Sequence, residues 1–157
     1  MGYNITGYAT NVSIQNKEDL ETLCGVQLSD LESEAPAYEE ATASFREDGQ
    51  FYIYANDKGS LIFPNFGHLA QNIPSSGEFI QFIVSDVSDT HYFEMYNNGE
   101  LTRKLILTDG EVAEEYGEGF IEGGDELFEK VWDYIQEAIG VSEADVMELP
   151  FRAYSIV

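Results

Sequence analysis

Between Phe79 and Asp109 the chain runs through three apolar-rich stretches, Phe79–Val84, Tyr92–Tyr96 and Leu101–Thr108. Successive side chains of a strand point to opposite faces, so alternation of this kind predicts half-buried β-strands. Phe93 and Met95 fall on one face, and Tyr92, Glu94 and Tyr96 on the other. In the third stretch Leu101, Arg103, Leu105 and Leu107 alternate with Thr102, Lys104 and Ile106. Asn97-Asn98-Gly99 joins the last two. Asn and Gly tolerate the positive φ of a primed turn, which makes this connection a hairpin signal. The pattern predicts a meander of three antiparallel strands at the centre of a sheet.

The same rules place elements on either side. Tyr3–Thr10 and Val12–Ile14 read as a first strand, with Gly7 as a bulge candidate. Asn16 caps a helix over Lys17–Cys24, with Asp19 three residues on and Gly25 as the stop. Leu20, Leu23 and Cys24 share one face of it. Ser29-Asp30-Leu31-Glu32 reads as a second capping box, with Pro36 limiting that helix to about two turns. Thr42–Arg46 and Gln50–Ala55 flank Glu47-Asp48-Gly49 as a second hairpin. Ser60–Phe63 extends the sheet up to Pro64, and Asn65–Ile73 is a loop or a single helical turn. Glu111–Asp125 has no period, and its glycines argue against a helix. Glu126–Ile139 is the strongest helix, with Leu127, Phe128, Val131, Trp132, Ile135, Ala138 and Ile139 on one face and Gly140 as the stop. Ser142 caps a last short helix that Pro150 ends, and Phe151–Val157 closes the sheet as a strand. The predicted class is α+β: an antiparallel sheet of meander and hairpins with one principal C-terminal amphipathic helix on one face.

Composition narrows the picture further. A chain of 157 residues with 43% hydrophobic content suits one folded domain, residues 1–157. Its charge is extreme, 30 acidic residues against 7 basic ones and a net −23. Such a surface repels nucleic acid and anionic membranes and attracts cationic proteins or metal ions, although it also serves plain solubility or adaptation to a salty cytoplasm. Cys24 is the single cysteine, so no internal disulfide forms. The first ten residues lack the basic and apolar regions of a signal peptide, and no run approaches the roughly 18 apolar residues of a membrane span. A soluble cytoplasmic protein is expected.

Catalytic signatures are missing. There is no phosphate-binding glycine loop, no G-x-S-x-G elbow and no H-E-x-x-H pair. His68 and His91 cannot build a zinc site alone, and nothing local supports a triad of either with Ser85 or Ser88. Cys24 lies among acids with no histidine nearby in sequence, which disfavours a reactive thiolate. Asp86, Asp89 and His91 sit at a strand–strand turn and could hold calcium or magnesium, but turn hydrogen bonding explains them better. We expect no catalytic residue, no cofactor and no metal.

The densest carboxylate run is Glu114, Glu115, Glu118, Glu122, Asp125 and Glu126, continuing to Glu129, with Tyr116 and Phe120 among the acids. Acids steer a cationic partner and aromatics anchor it, so these residues are the candidate partner-binding site; the bland reading is a solvated acidic loop. A small acidic α+β chain without catalytic constellation resembles the immunity proteins that neutralise bacterial toxins. Residues Phe93–Phe120, with an aromatic–Tyr–Asn-Gly–x–Leu–x–Arg hairpin, are similar to uncharacterised bacterial families of that kind. The resemblance implies an inhibitor that occludes a basic toxin or nuclease. Two other readings stand beside it: a nucleic-acid mimic, such as a phage-encoded inhibitor of a DNA-binding defence protein, and a small-molecule or metal-binding domain built over the meander.

Overall fold

A computed structural model of the chain describes residues 4–14, 16–30, 50–64, 68–85, 89–109, 111–117, 127–142, 145 and 151–156. Its strands are β1 (Asn4–Thr10), β2 (Leu28–Asp30), β3 (Gln50–Ala55), β4 (Ser60–Phe63), β5 (Glu78–Ser85), β6 (Thr90–Asn97), β7 (Glu100–Thr108), β8 (Glu111–Gly117) and β9 (Arg152–Ile156). Two helices accompany them, α1 (Lys17–Cys24) and α2 (Leu127–Ile139). The strands form one sheet in the order β2-β9-β3-β4-β1-β5-β6-β7-β8, and each described pairing is antiparallel.

The meander occupies β5 to β7, as its alternation predicts. Asn98 at φ 51 and Gly99 at φ 84 make the turn, and Asn97 pairs with Glu100 across it. Phe82, Phe93 and Leu105 are cross-strand neighbours on one face; Gln81, Glu94 and Lys104 are neighbours on the other. The first face carries the larger apolar cluster. There Ile5, Ala9, Leu61, Phe63, Ile80, Phe82 and Phe93 meet Val131, Trp132, Ile135 and Ile139 of α2, which crosses β1 and β4. The second face carries Tyr8, Phe51, Ile53, Ile62 and Phe79, which pack with Leu20, Leu23 and Cys24 of α1. Asn16 caps that helix, its Oδ1 accepting from the Asp19 N–H at 2.8 Å.

Three local expectations give way to tertiary pairing. Gly7 is not a bulge: β1 runs in unbroken register against β5, and the ring of Phe82 lies where a Cβ on Gly7 would go. Val12–Ile14 leaves the sheet, because side chains satisfy its backbone; Val12 N–H donates to Thr10 Oγ1 and Ile14 N–H to Ser60 Oγ. Ser29 and Asp30 do not begin a helix but pair with Ser155 and Tyr154 of β9. Thr42–Arg46, Leu31-Glu32, residues 65–67 and 146–150, and Glu126 lie outside the described residues, so the hairpin before β3 and the last short helix are not described.

Candidate functional site

β8 is the outermost described strand on its side of the sheet. It corrects the expectation of an aperiodic loop over residues 111–117: Arg103 pairs with Gly117, Lys104 with Tyr116 and Ile106 with Glu114. The period was invisible because all seven residues are exposed, so no face of the strand had to be apolar. β7 supplies the order instead. Buried Arg103 reaches under the end of β8 and donates through Nη1 to the carbonyls of Gly117 at 2.9 Å and Tyr116 at 3.3 Å, with Glu115 at 3.7 Å. Lys104, on the opposite face, pairs with Glu114 at 3.4 Å. Two of the chain's seven basic residues therefore hold this strand. Gly117, at φ +79, lies so close to the Thr102 carbonyl that any side chain there would collide with it.

The candidate partner-binding residues divide accordingly. Glu114, Glu115 and Tyr116 are on β8; Glu118, Phe120, Glu122, Asp125 and Glu126 lie outside the described residues. Glu114 and Glu115 face opposite sides of the sheet and each has a cation, so part of the charge seen in the sequence is locally neutralised. Beside its exposed acids the strand also displays apolar groups. Val112 and Tyr116 are each 56% exposed, and they are two of three exposed large hydrophobics among the described residues.

A second cluster lies on the same face as Tyr116, one row inward. Gln81, Glu94, Lys104 and Tyr116 are successive cross-strand partners from β5 to β8. Glu94 is 6% exposed, and its carboxylate accepts from Gln81 Nε2 at 3.0 Å, from the Tyr92 hydroxyl, and from the Tyr96 hydroxyl at 2.9 Å. Gln81 Oε1 in turn accepts the Ala70 N–H at 3.0 Å. The tyrosines flank Glu94 two residues either way, which is the sequence signal that could have found this network. A buried carboxylate needs such donors to replace its water. Glu94→Leu strands the Gln81 amide and should lower stability by about 2 kcal/mol in urea unfolding; an unchanged midpoint would contradict the network.

The tyrosines of this cluster are held protonated. Partial burial, and then the hydrogen bond to Glu94 and its charge, push Tyr96 up from 10.0 to about 12, and the same causes push Tyr92 up. A phenol whose folded pKa lies above its unfolded value stabilises the fold fully below pH 10, and that contribution is lost as pH rises toward about 12. Urea midpoints should therefore begin to fall near pH 9, where the unfolded Cys24 thiol ionises while the buried one stays protonated, and fall further beyond pH 10 as the tyrosines contribute.

Burial also pushes the Cys24 thiol up to about 12, so it is a protonated core group at neutral pH. His68 Nε2 lies 2.7 Å from the Cys24 carbonyl, and the Tyr8 hydroxyl donates to the His68 carbonyl. His91 stands within β6 opposite Val84 and Leu107, and Asp89 takes φ 47 in the preceding turn, where its carbonyl accepts the Asp109 N–H at 3.0 Å. Asp86 and Ser88 lie outside the described residues. Among the described residues no group of three His, Cys, Asp or Glu is placed to hold a metal ion, and no helix is long and apolar enough to cross a membrane. Comparison of the chain with protein-family models, curated proteins and solved structures gives no match.

Proposed function

We propose that the protein is an acidic protein-binding module working in the cytoplasm, an immunity-type inhibitor that covers the basic surface of a toxin or nuclease. Its scaffold is α+β, with the C-terminal helix as the principal one. The observation that carries this reading is β8: seven exposed residues at the border of the sheet, acidic, with Val112 and Tyr116 displayed among the acids. A net charge of −23 draws a cationic partner from a distance, and exposed aromatic surface then fixes it in place. The nucleic-acid-mimic reading needs carboxylates spaced along one face, and the opposed placement of Glu114 and Glu115 does not favour it.

The test begins with affinity capture from the native host and proceeds to association kinetics at two salt concentrations. Glu111, Glu118 and Glu122 are the residues to reverse to Lys, since Glu114 and Glu115 also hold β8 to β7. The triple reversal should slow association about tenfold or more, and Tyr116→Ala should act mainly on dissociation. Rates that ignore both salt and these substitutions would sink the proposal.

A further inference from the structure

The outer strand of any open sheet presents unpaired N–H and C=O groups, and proteins blunt such edges with short strands, prolines, charged side chains or bulges. The two borders of this sheet differ. Among the described residues β2 has three, too few to template another strand. β8 has seven, contains no proline, and keeps both of its faces exposed; its charges are Glu111, Glu114 and Glu115, which repel another acidic strand but not a basic one. A register shift between Ile106 and Leu107 leaves Ala113 as an extra residue, but pairing resumes on both sides of it. Among the described residues no strand lies outside β8.

We propose that β8 receives a strand of the partner by main-chain hydrogen bonding, and that this strand alternates basic with apolar residues. The inference rests on the reading of the protein as a module for a basic partner and names how that partner is held. Alternation follows from the two faces: Glu114 and Tyr116 lie on the side of Lys104 and Ile106, while Val112 lies beside Leu107 on the other. Incoming Lys or Arg side chains on the first side meet a carboxylate and an aromatic ring, and apolar ones on the second side cover Val112. The charge also decides against a second copy of the chain. Two β8 strands side by side would set Glu111, Glu114 and Glu115 against their equivalents, while Arg103 and Lys104 are already engaged within their own sheet. Each copy would bring a net −23 to the contact.

The probe is a synthetic peptide of alternating lysine and valine, matched to the seven residues of β8 and mixed with the full chain labelled for amide NMR. Binding should slow hydrogen exchange at alternate amides of residues 111–117 by about tenfold or more, while amides already bonded to β7 keep their rates. A peptide with glutamate in place of lysine should leave the spectrum unchanged. Methylating the peptide nitrogens along one edge should abolish the effect, and methylating the other edge should preserve it, because only one edge of a strand faces β8. Strand addition is refuted if neither methylated peptide differs from the parent, if protection appears away from β8, or if no binding is detected. It is refuted equally if β8 amides become protected as protein concentration rises without peptide, since a second copy then fills the edge. The captured partner separates this inference from the functional reading. Salt-dependent binding without any change at β8 amides removes strand addition and leaves the basic-partner reading intact. Partner association that ignores salt, beside normal peptide binding, removes the basic-partner reading and leaves the edge as a strand receptor.

Discussion

Replacing Trp132 with alanine lowers the unfolding free energy by about 3–5 kcal/mol. The indole is 7% exposed and belongs to the cluster in which α2 meets β1, β4, β5 and β6. Thirteen residues of helix are marginal alone in water, so α2 persists because its apolar face is covered, and Trp132 is the largest side chain on that face. Truncation removes its transfer energy and leaves a void that neighbouring strands, fixed by their ladders, cannot close. A domain of this size has a total stability of about 5–15 kcal/mol, so the variant stands near its limit. Because the chain has one tryptophan, the variant must be followed by far-ultraviolet circular dichroism in urea. Trp132→Phe keeps most of the buried area and should lose about 1–2 kcal/mol. A loss below about 1 kcal/mol for the alanine variant would place Trp132 on the surface and contradict the packing of α2.

Gly59→Ala should cost about 3 kcal/mol, at the upper end for overpacking, although it adds a single methyl group. Gly59 lies in the turn from β3 to β4, and a Cβ there would stand 2.2 Å from the Thr10 carbonyl oxygen and 2.6 Å from that of Ala138. Both obstacles are backbone, one in β1 and the other near the end of α2, and neither can rotate aside. The same turn holds the helix end through Asn56, whose Nδ2 donates to the Ile139 carbonyl at 2.8 Å and whose Oδ1 accepts the N–H groups of Lys58 and Gly59. A side chain at position 59 therefore pushes α2 and β1 away from the turn that Asn56 ties to the helix end. Lys58→Ala, at an exposed neighbouring position, should stay within about 0.5 kcal/mol and serves as the control. Equal midpoints for the two variants would show that the turn is not wedged between β1 and α2.

Local patterning carried part of this architecture well. Alternation marks β5 to β7, and the Asn98-Gly99 pair suffices for β6 and β7 because adjacent strands joined by a tight turn have little freedom to pair otherwise. Lys17–Cys24 was equally plain, since Asn16 and Gly25 mark both ends within the sequence. β8 was not plain. Its glutamates and alanine have low strand propensity, and with both faces in water it lacks the apolar alternation by which strands are recognised. Arg103 and Lys104 impose its pairing from the neighbouring strand. The candidate site was therefore visible as a composition and invisible as a shape, and the pairing of Glu114 and Glu115 with cations could not be read from their spacing.

By itself the sequence determined where the chain turns, which residues of the meander share a face, and that the surface is strongly anionic, because these follow from backbone preferences, side-chain period and a count of charges. Tertiary structure alone decided that β9 lies between β2 and β3 and that β1 lies between β4 and β5. It also decided that Glu94 and Arg103, two charged residues within alternating strands, are buried rather than solvated. Whether a charge can be buried depends on the donors and acceptors that distant segments bring to it. For Glu94 the distant one is Gln81 of β5, which joins the neighbouring Tyr92 and Tyr96, and for Arg103 they are the carbonyls at the end of β8. The two tyrosines beside Glu94 are local, but Gln81 and the β8 carbonyls come from neighbouring strands, and those contacts exist only once the strands are side by side.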